Sequence, residues 1–288
     1  MSRTEPRTIR AVRELQDWSD EVRRAGRRVA LVPTMGALHE GHLSLVRLAH
    51  EHAERIVVSI FINPAQFGPG EDLATYPRDM AGDMARLSAL GVDVVFTPTT
   101  EEMYPPGVPP TWVEVEGLTR GLCGRSRPGH FRGVTSVVAR LFNAARPHVA
   151  IFGQKDYQQL LVVRAMSQAL HLGVEIVAAP TVREPDGLAM SSRNAYLEPA
   201  ARQQASSLNA ALHEARQLFH EGARDARALV AAARRRIAKE PLAEIQYLEL
   251  CDADTLEPLE KIQARAVMAL AVTIDGTRLI DNVLLEMD

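Results

Sequence analysis

Through the first two thirds of the chain, short apolar runs alternate with stretches in which apolar residues recur every three or four positions. Ile9, Val12, Leu15, Trp18 and Val22 predict a helix over 9–25, closed by Gly26. Residues 29–32 are a short apolar strand. Pro33 then opens a turn loosened by Gly36 and Gly41, and an amphipathic helix follows with Leu43, Val46 and Leu48 inward. Residues 56–62 are β-branched and apolar on both faces, as a strand covered by two helical layers should be. The same reading gives a helix over 79–90, a strand over 92–96, a helix over 134–145, a strand over 149–152, a helix over 157–170 and a strand over 174–178. The stretch 99–131 is irregular and proline-rich, with one strand-like piece at 112–115.

Strands alternating with helices of about a dozen residues imply parallel βαβ units. The fold class expected is therefore α/β, a doubly wound, Rossmann-like parallel sheet with ligand loops at the carboxyl ends of its strands. From about residue 182 the pattern changes. Two helices, 199–219 and 225–238, precede strands at 245–250, 267–274 and 279–285, the last two joined through Asp275-Gly276, a hairpin signal. We expect two domains, 1–181 and 182–288, the second a small α+β domain. Arg234, Arg235 and Arg236 fall on a helix and are expected on a solvated face.

Composition narrows the function classes. A chain that is 46% hydrophobic and 24% charged, with a net charge of −3, gives no reason to expect nucleic acid or an anionic membrane as a partner. The strongest apolar run, 56–62, is too short to span a bilayer, and the early residues are studded with Arg and Glu, so the cytoplasm is the expected location. Cys123 and Cys251 lack any metal-ligand spacing, so neither zinc nor a disulfide framework is expected. No GxGxxG follows the first strand, which argues against NAD or a flavin. Lysine occurs only at 155, 239 and 261, so a lysine inside a motif draws notice.

Four strand ends carry polar clusters. His39 and His42 stand three apart at a helix start, suited to a phosphate chain or else incidental on the surface. A zinc-protease reading is weaker, because that motif needs histidines four apart on a firm helix and Gly41 intervenes. Asn63 and Gln66 can bind hydroxyl or carboxyl groups without adding charge, although Asn is also ordinary in a turn. After the strand at 149–152, Gly153 permits close approach, Lys155 is a point charge at a helix start, and Gln159 lies one turn on. Ser191, Ser192 and Arg193 can wrap phosphate oxygens, or form a polar linker. Arg127, His130 and Arg132 could add cations. No GxSxG elbow or Cys/His pair supplies a nucleophile, which fits a substrate that itself attacks phosphorus while the protein positions it and stabilises charge.

The segments MGALHEGH, SIFINPAQF, YPRD, RPGHFRGV, FGQKDYQQL and VREPDGLAMSSRN together resemble the pantothenate synthetase family, the pantoate–β-alanine ligases, within the HxGH nucleotidyltransferase superfamily. The resemblance runs from about 28 to 197. It implies that ATP and pantoate give pantoyl adenylate and pyrophosphate, and that β-alanine then releases AMP and forms pantothenate. It assigns catalytic roles to His42, as proton donor, His39, Lys155 and Arg193. ATP contacts are implied for Met35, Gly36, Ala37, Leu38, His39, Glu40, Gly41, His42, Gly153, Gln154, Lys155, Asp156, Val182, Met190, Ser191, Ser192 and Arg193. Gln66 and Gln159, with Asn63, would bind pantoate and β-alanine. Magnesium is expected with ATP. Where some members carry consecutive acids, this chain has Gly82-Asp83, leaving Asp83 as a metal-side contact. A homodimer, and a lid role for the 182–288 domain, are implied by resemblance alone. The alternative is another HxGH nucleotidyltransferase acting on a small acceptor.

Overall fold

A computed structural model of the chain describes residues 5–287. In chain order its elements are β1 (Arg7–Ile9), α1 (Val12–Arg24), β2 (Val29–Thr34), α2 (Glu40–His52), β3 (Arg55–Ile60), α3 (Met80–Ala89), β4 (Val94–Phe96), α4 (Thr100–Met103), α5 (Leu122–Ser126), α6 (His130–Ala145), β5 (Val149–Gly153), α7 (Tyr157–Ala169), β6 (Glu175–Ala179), α8 (Pro199–His220), α9 (Ala226–Ile237), β7 (Ala243–Asp252), β8 (Ala266–Ile274) and β9 (Thr277–Leu285). They group into two compact units. The first comprises residues up to 115, 127–154 and 159–180; the second comprises 116–126, 155–158 and the chain from 181.

In the first unit all six strands are parallel, in the order β1-β4-β3-β2-β5-β6. Alternate residues feed two apolar layers. Val29, Leu31, Val57, Phe96 and Phe152 pack with α1, α6 and α7, while Ala30, Val32, Val58, Val95 and Ile151 pack with α2 and α3. The strand order reverses between β2 and β5, so the loops after these two strands open at the switch point of the sheet, where such folds hold ligands.

Several expected boundaries move. Ile9 belongs to β1, a three-residue edge strand paired with β4, and α1 starts only at Val12. So short a strand has no period to read. Pro33 lies inside β2. Thr34 O accepts Phe61 N–H on the β3 side, so the neighbouring Pro33 faces β5, where the ladder has already ended at Leu31 and no N–H is required. The buried stripe of α2 is Leu45, Val46 and Ala49, with Leu43 and Leu48 on its flanks. The piece at 112–115 is not a ladder strand. Instead Val113 N–H donates to Ser136 Oγ at 2.9 Å and Val113 O accepts from Thr135 Oγ1, so hydroxyls on α6 replace a strand partner.

In the second unit β7, β8 and β9 form an antiparallel sheet with β8 central and almost wholly buried, against α8 and α9. Asp275 and Gly276 have φ of 47° and 79°, the two-residue turn whose twist suits a hairpin. Arg234 and Arg235 are exposed, and Arg236 is half-buried.

Candidate active site

The loop leaving β2 is fastened before α2 begins. Thr34 Oγ1 donates to Ser59 O at 2.7 Å and accepts from Gly36 N–H at 3.3 Å. Gly36 and Ala37 both take positive φ, 86° and 49°. A side chain at Gly36 would press on Ile60 Cγ2 at 3.0 Å and Asp83 Oδ2 at 3.2 Å. The carboxylate of Asp83, on α3, accepts Ala37 N–H at 2.9 Å and Leu38 N–H at 2.7 Å. Burial pushes the Asp83 carboxyl up, and the two N–H groups oppose that rise. His39, with φ −126° and ψ 176°, then caps α2. His39 N–H reaches His42 Nδ1 at 3.4 Å, and the two rings lie 4.1 Å apart between centroids with planes at 33°. The first turn thus carries two imidazoles at the positive end of the helix dipole, which favours an anion.

Asp83 does not fit the metal-side contact expected of it. Both oxygens accept backbone N–H groups, and Arg86 Nη1 lies 3.4 Å from Oδ1. Among the described residues no cluster of three or more His, Cys, Asp or Glu could cage a cation.

Beyond β3, Asn63 and Gln66 are joined. Asn63 is buried, and its Nδ2 donates to Gln66 Oε1 and Gly133 O, both at 3.1 Å, while its Oδ1 accepts from Tyr104 Oη at 2.7 Å. The amide of Asn63 is thus spent on fixing the turn and orienting Gln66, whose Nε2 lies 3.2 Å from Met35 Sδ. Helix α6 meets this turn at Gly133, where a Cβ would fall 2.2 Å from Ala65 O. Arg127 makes a two-pronged pair with Glu71 (Nε to Oε1 2.7 Å, Nη2 to Oε2 2.6 Å), and His130 Nδ1 lies 2.8 Å from Gln66 O. Burial works against the charge on Glu71, but the hydrogen bond and charge of Arg127 outweigh it and hold the carboxyl down at about 2. Arg132 is not part of this group; it stacks on the exposed ring of Trp112 at 5.3 Å.

Gly153 and Gln154 close β5 in the first unit, and a Cβ at Gly153 would meet nothing within 4 Å. Gln159 is half-buried in the first turn of α7.

The second unit holds Lys155, Asp156, Val182 and the 190–193 loop. Burial lowers the Lys155 ammonium, Asp156 and Asp281 oppose this, and Arg193 and Arg183 reinforce it. Met190 N–H donates to Val182 O at 3.0 Å, and Ser191 Oγ accepts Arg193 N–H at 3.3 Å. Residues not singled out in the sequence hold these groups. Asn282 Nδ2 donates to Lys155 O at 2.8 Å, and Asp281 receives Arg183 through both oxygens at 2.6 and 3.0 Å. Glu184 takes Asn194 Nδ2 on one oxygen and Arg202 Nη2 on the other, each at 2.6 Å. The one legible signal was an Asp-Asn pair inside the apolar run of β9.

A parallel sheet whose order reverses beside a histidine-bearing helix start defines a doubly wound α/β protein of the nucleotide-binding class. The model of the Pantoate-beta-alanine ligase family matches residues 7–284, and the chain belongs to that family of enzymes. It is 54% identical over 274 residues to a pantothenate synthetase of Syntrophotalea carbinolica, covering 95% of this chain and 96% of that protein. The crystal structure of pantothenate synthetase from Thermus thermophilus superposes with a TM-score of 0.91 at 46% identity, covering 98% of this chain and 100% of that one. A pantoate-beta-alanine ligase from Francisella tularensis, complexed with beta-gamma ATP and beta-alanine, gives 0.81 at 30% identity, covering 98% and 99%.

Proposed function

We propose that this chain joins (R)-pantoate to β-alanine through a pantoyl-adenylate intermediate, as an AMP-forming ligase of coenzyme A biosynthesis. The observation that carries the reading is the meeting of Gln66 with Met35, which sets a neutral amide beside the histidine loop. A neutral amide suits a hydroxy acid, whereas a phosphate-bearing acceptor would call for cations.

In the first step a carboxylate oxygen of pantoate attacks the α-phosphorus of ATP and pyrophosphate leaves. Gln66 and Gln159 hold pantoate, with Asn63 orienting Gln66. His39 and His42 lie where negative charge grows on the phosphates, with His42 the proton donor, and Lys155 and Arg193 add positive charge. In the second step the amine of β-alanine attacks the acyl carbon, and AMP leaves with the electrons of the broken anhydride bond. Met35–His42, Gly153–Asp156, Val182 and Met190–Arg193 are assigned to ATP. The 182–288 region acts as a lid that keeps water from the adenylate. By its resemblance to the family, the working form is a homodimer in the cytoplasm.

Exchange of labelled pyrophosphate into ATP tests this reading. It should require pantoate and proceed without β-alanine, and AMP release should require both. Exchange that ignores pantoate, with folded protein and magnesium present, would remove the ligase assignment and favour another acceptor.

A further inference from the structure

The metal-side reading of Asp83 fails on geometry, and the same geometry gives the residue another task. Asp83 is 1% exposed, and such a carboxylate normally needs partners. Its short contacts are with the N–H groups of two consecutive residues, Ala37 and Leu38, at 2.9 and 2.7 Å, and Arg86 Nη1 stands farther off at 3.4 Å. Those N–H groups converge on the carboxylate, one on each oxygen, from a loop in which Gly36 and Ala37 both take positive φ. In a nucleotide-binding loop, backbone N–H groups aimed together at one anion ordinarily take a phosphate. Here the protein gives them its own carboxylate, from a helix 45 residues away along the chain.

The fit is tight. Gly36 has no Cβ where one would meet Asp83 Oδ2 at 3.2 Å, and its φ of 86° disfavours any side chain. The residue after Leu38 is His39, and α2 begins one residue later. We propose that Asp83 is a positioning residue for adenylation: its carboxylate fixes the 36–38 loop and so sets where His39 and His42 stand at the head of α2. The residue does not touch the reacting atoms, and it is not a ligand of magnesium. The inference rests on the ligase reading above for its kinetic consequence only.

The loop contact can be tested without turnover. In uniformly labelled wild-type protein, scalar coupling across the hydrogen bonds should link the amide nitrogens of Ala37 and Leu38 to the side-chain carbonyl carbon of Asp83. Absence of both couplings, with both amides assigned, overturns the proposal whether or not the chain is a ligase, and needs no variant to fold. Asp83→Asn then gives the kinetic arm. Its NH2 must face one of the two N–H groups, so one hydrogen bond is lost and the loop shifts. Pantoate-dependent exchange should lose about ten- to a hundredfold in kcat, as small misplacements of catalytic groups do. The magnesium concentration for half-maximal rate should stay unchanged. A tenfold rise in that concentration, or a kcat equal to wild type, overturns the positioning role. Lack of exchange in wild type would instead count against the ligase reading and leave the loop contact standing.

Discussion

Glu71 fixes its loop by charge. Its carboxyl, ordinarily near 4.5, is held at about 2 by Arg127, so the folded state binds its proton less readily than the unfolded chain does. A depressed acid stabilises the fold above its unfolded value, and that contribution disappears as pH falls from about 4.5 towards 2. Arg127 is 13% exposed and Glu71 25%, so the pair is screened less than a surface bridge, though not fully desolvated. Glu71→Gln should cost roughly 1–3 kcal/mol near pH 7, and the deficit should narrow in urea titrations repeated towards pH 3. An equal deficit at both pH values would mean that shape, not charge, holds the loop. Neither partner's role was visible in the sequence. Arg127 read as a loose cation, and Glu71 sat in a loop of Pro and Gly with no period to follow; only three dimensions pair residues 56 apart. His39, His42 and Lys155 stood out because residue type and a strand-end position sufficed.

At the scale of elements, legibility followed burial. β2, β3 and β5 lie between two helical layers, so both faces are apolar and the runs declare themselves. β1 at the edge did not, since it has three residues, and the strand-like piece near Val113 gave no sign that its partners would be hydroxyls on α6 and not a strand. The contact of α6 with the turn after β3 was likewise unreadable, because a glycine inside a helix signals nothing by itself. In an open helix, Gly→Ala gains up to about 1 kcal/mol of propensity. At Gly133 the sign reverses. The new Cβ would stand 2.2 Å from Ala65 O and 2.7 Å from Gln66 Cα, and backbone atoms cannot swing aside as a side-chain tip can. Gly133→Ala should therefore cost about 1–3 kcal/mol by overpacking, read from urea denaturation. Because the turn carries Gln66, which we propose holds pantoate, the KM for pantoate should rise while that for ATP changes less. A stabilised variant with unchanged KM would show that the turn yields freely.

For the chain as a whole, the change of pattern near residue 182 was legible because a parallel α/β rhythm gives way to helices followed by a hairpin. What no linear boundary could express is that the second unit also recruits 116–126 and 155–158. Short segments without a period reveal their allegiance only through contacts. Leu122 and Cys123 are buried, Cys123 Sγ lies 3.1 Å from Tyr247 Oη, and Arg278 Nη2 reaches Cys123 Sγ at 3.3 Å and Ser126 Oγ at 3.4 Å. Tyr157 Oη donates to Ala253 O and Asn282 Nδ2 to Lys155 O, each at 2.8 Å. A fragment cut at the sequence boundary, 182–288, keeps its sheet and two long helices but leaves Tyr247, Arg278 and Asn282 without these partners. At about 1 kcal/mol for each hydrogen bond, plus the apolar cover of Leu122 and Tyr157, the loss is several kcal/mol, a large part of a small domain's stability. The fragment should retain helical circular dichroism yet melt broadly, bind a hydrophobic dye and unfold at lower urea than the intact chain. A sharp transition at the intact chain's midpoint would show instead that 182–288 is self-sufficient and that the recruited segments only rest on it.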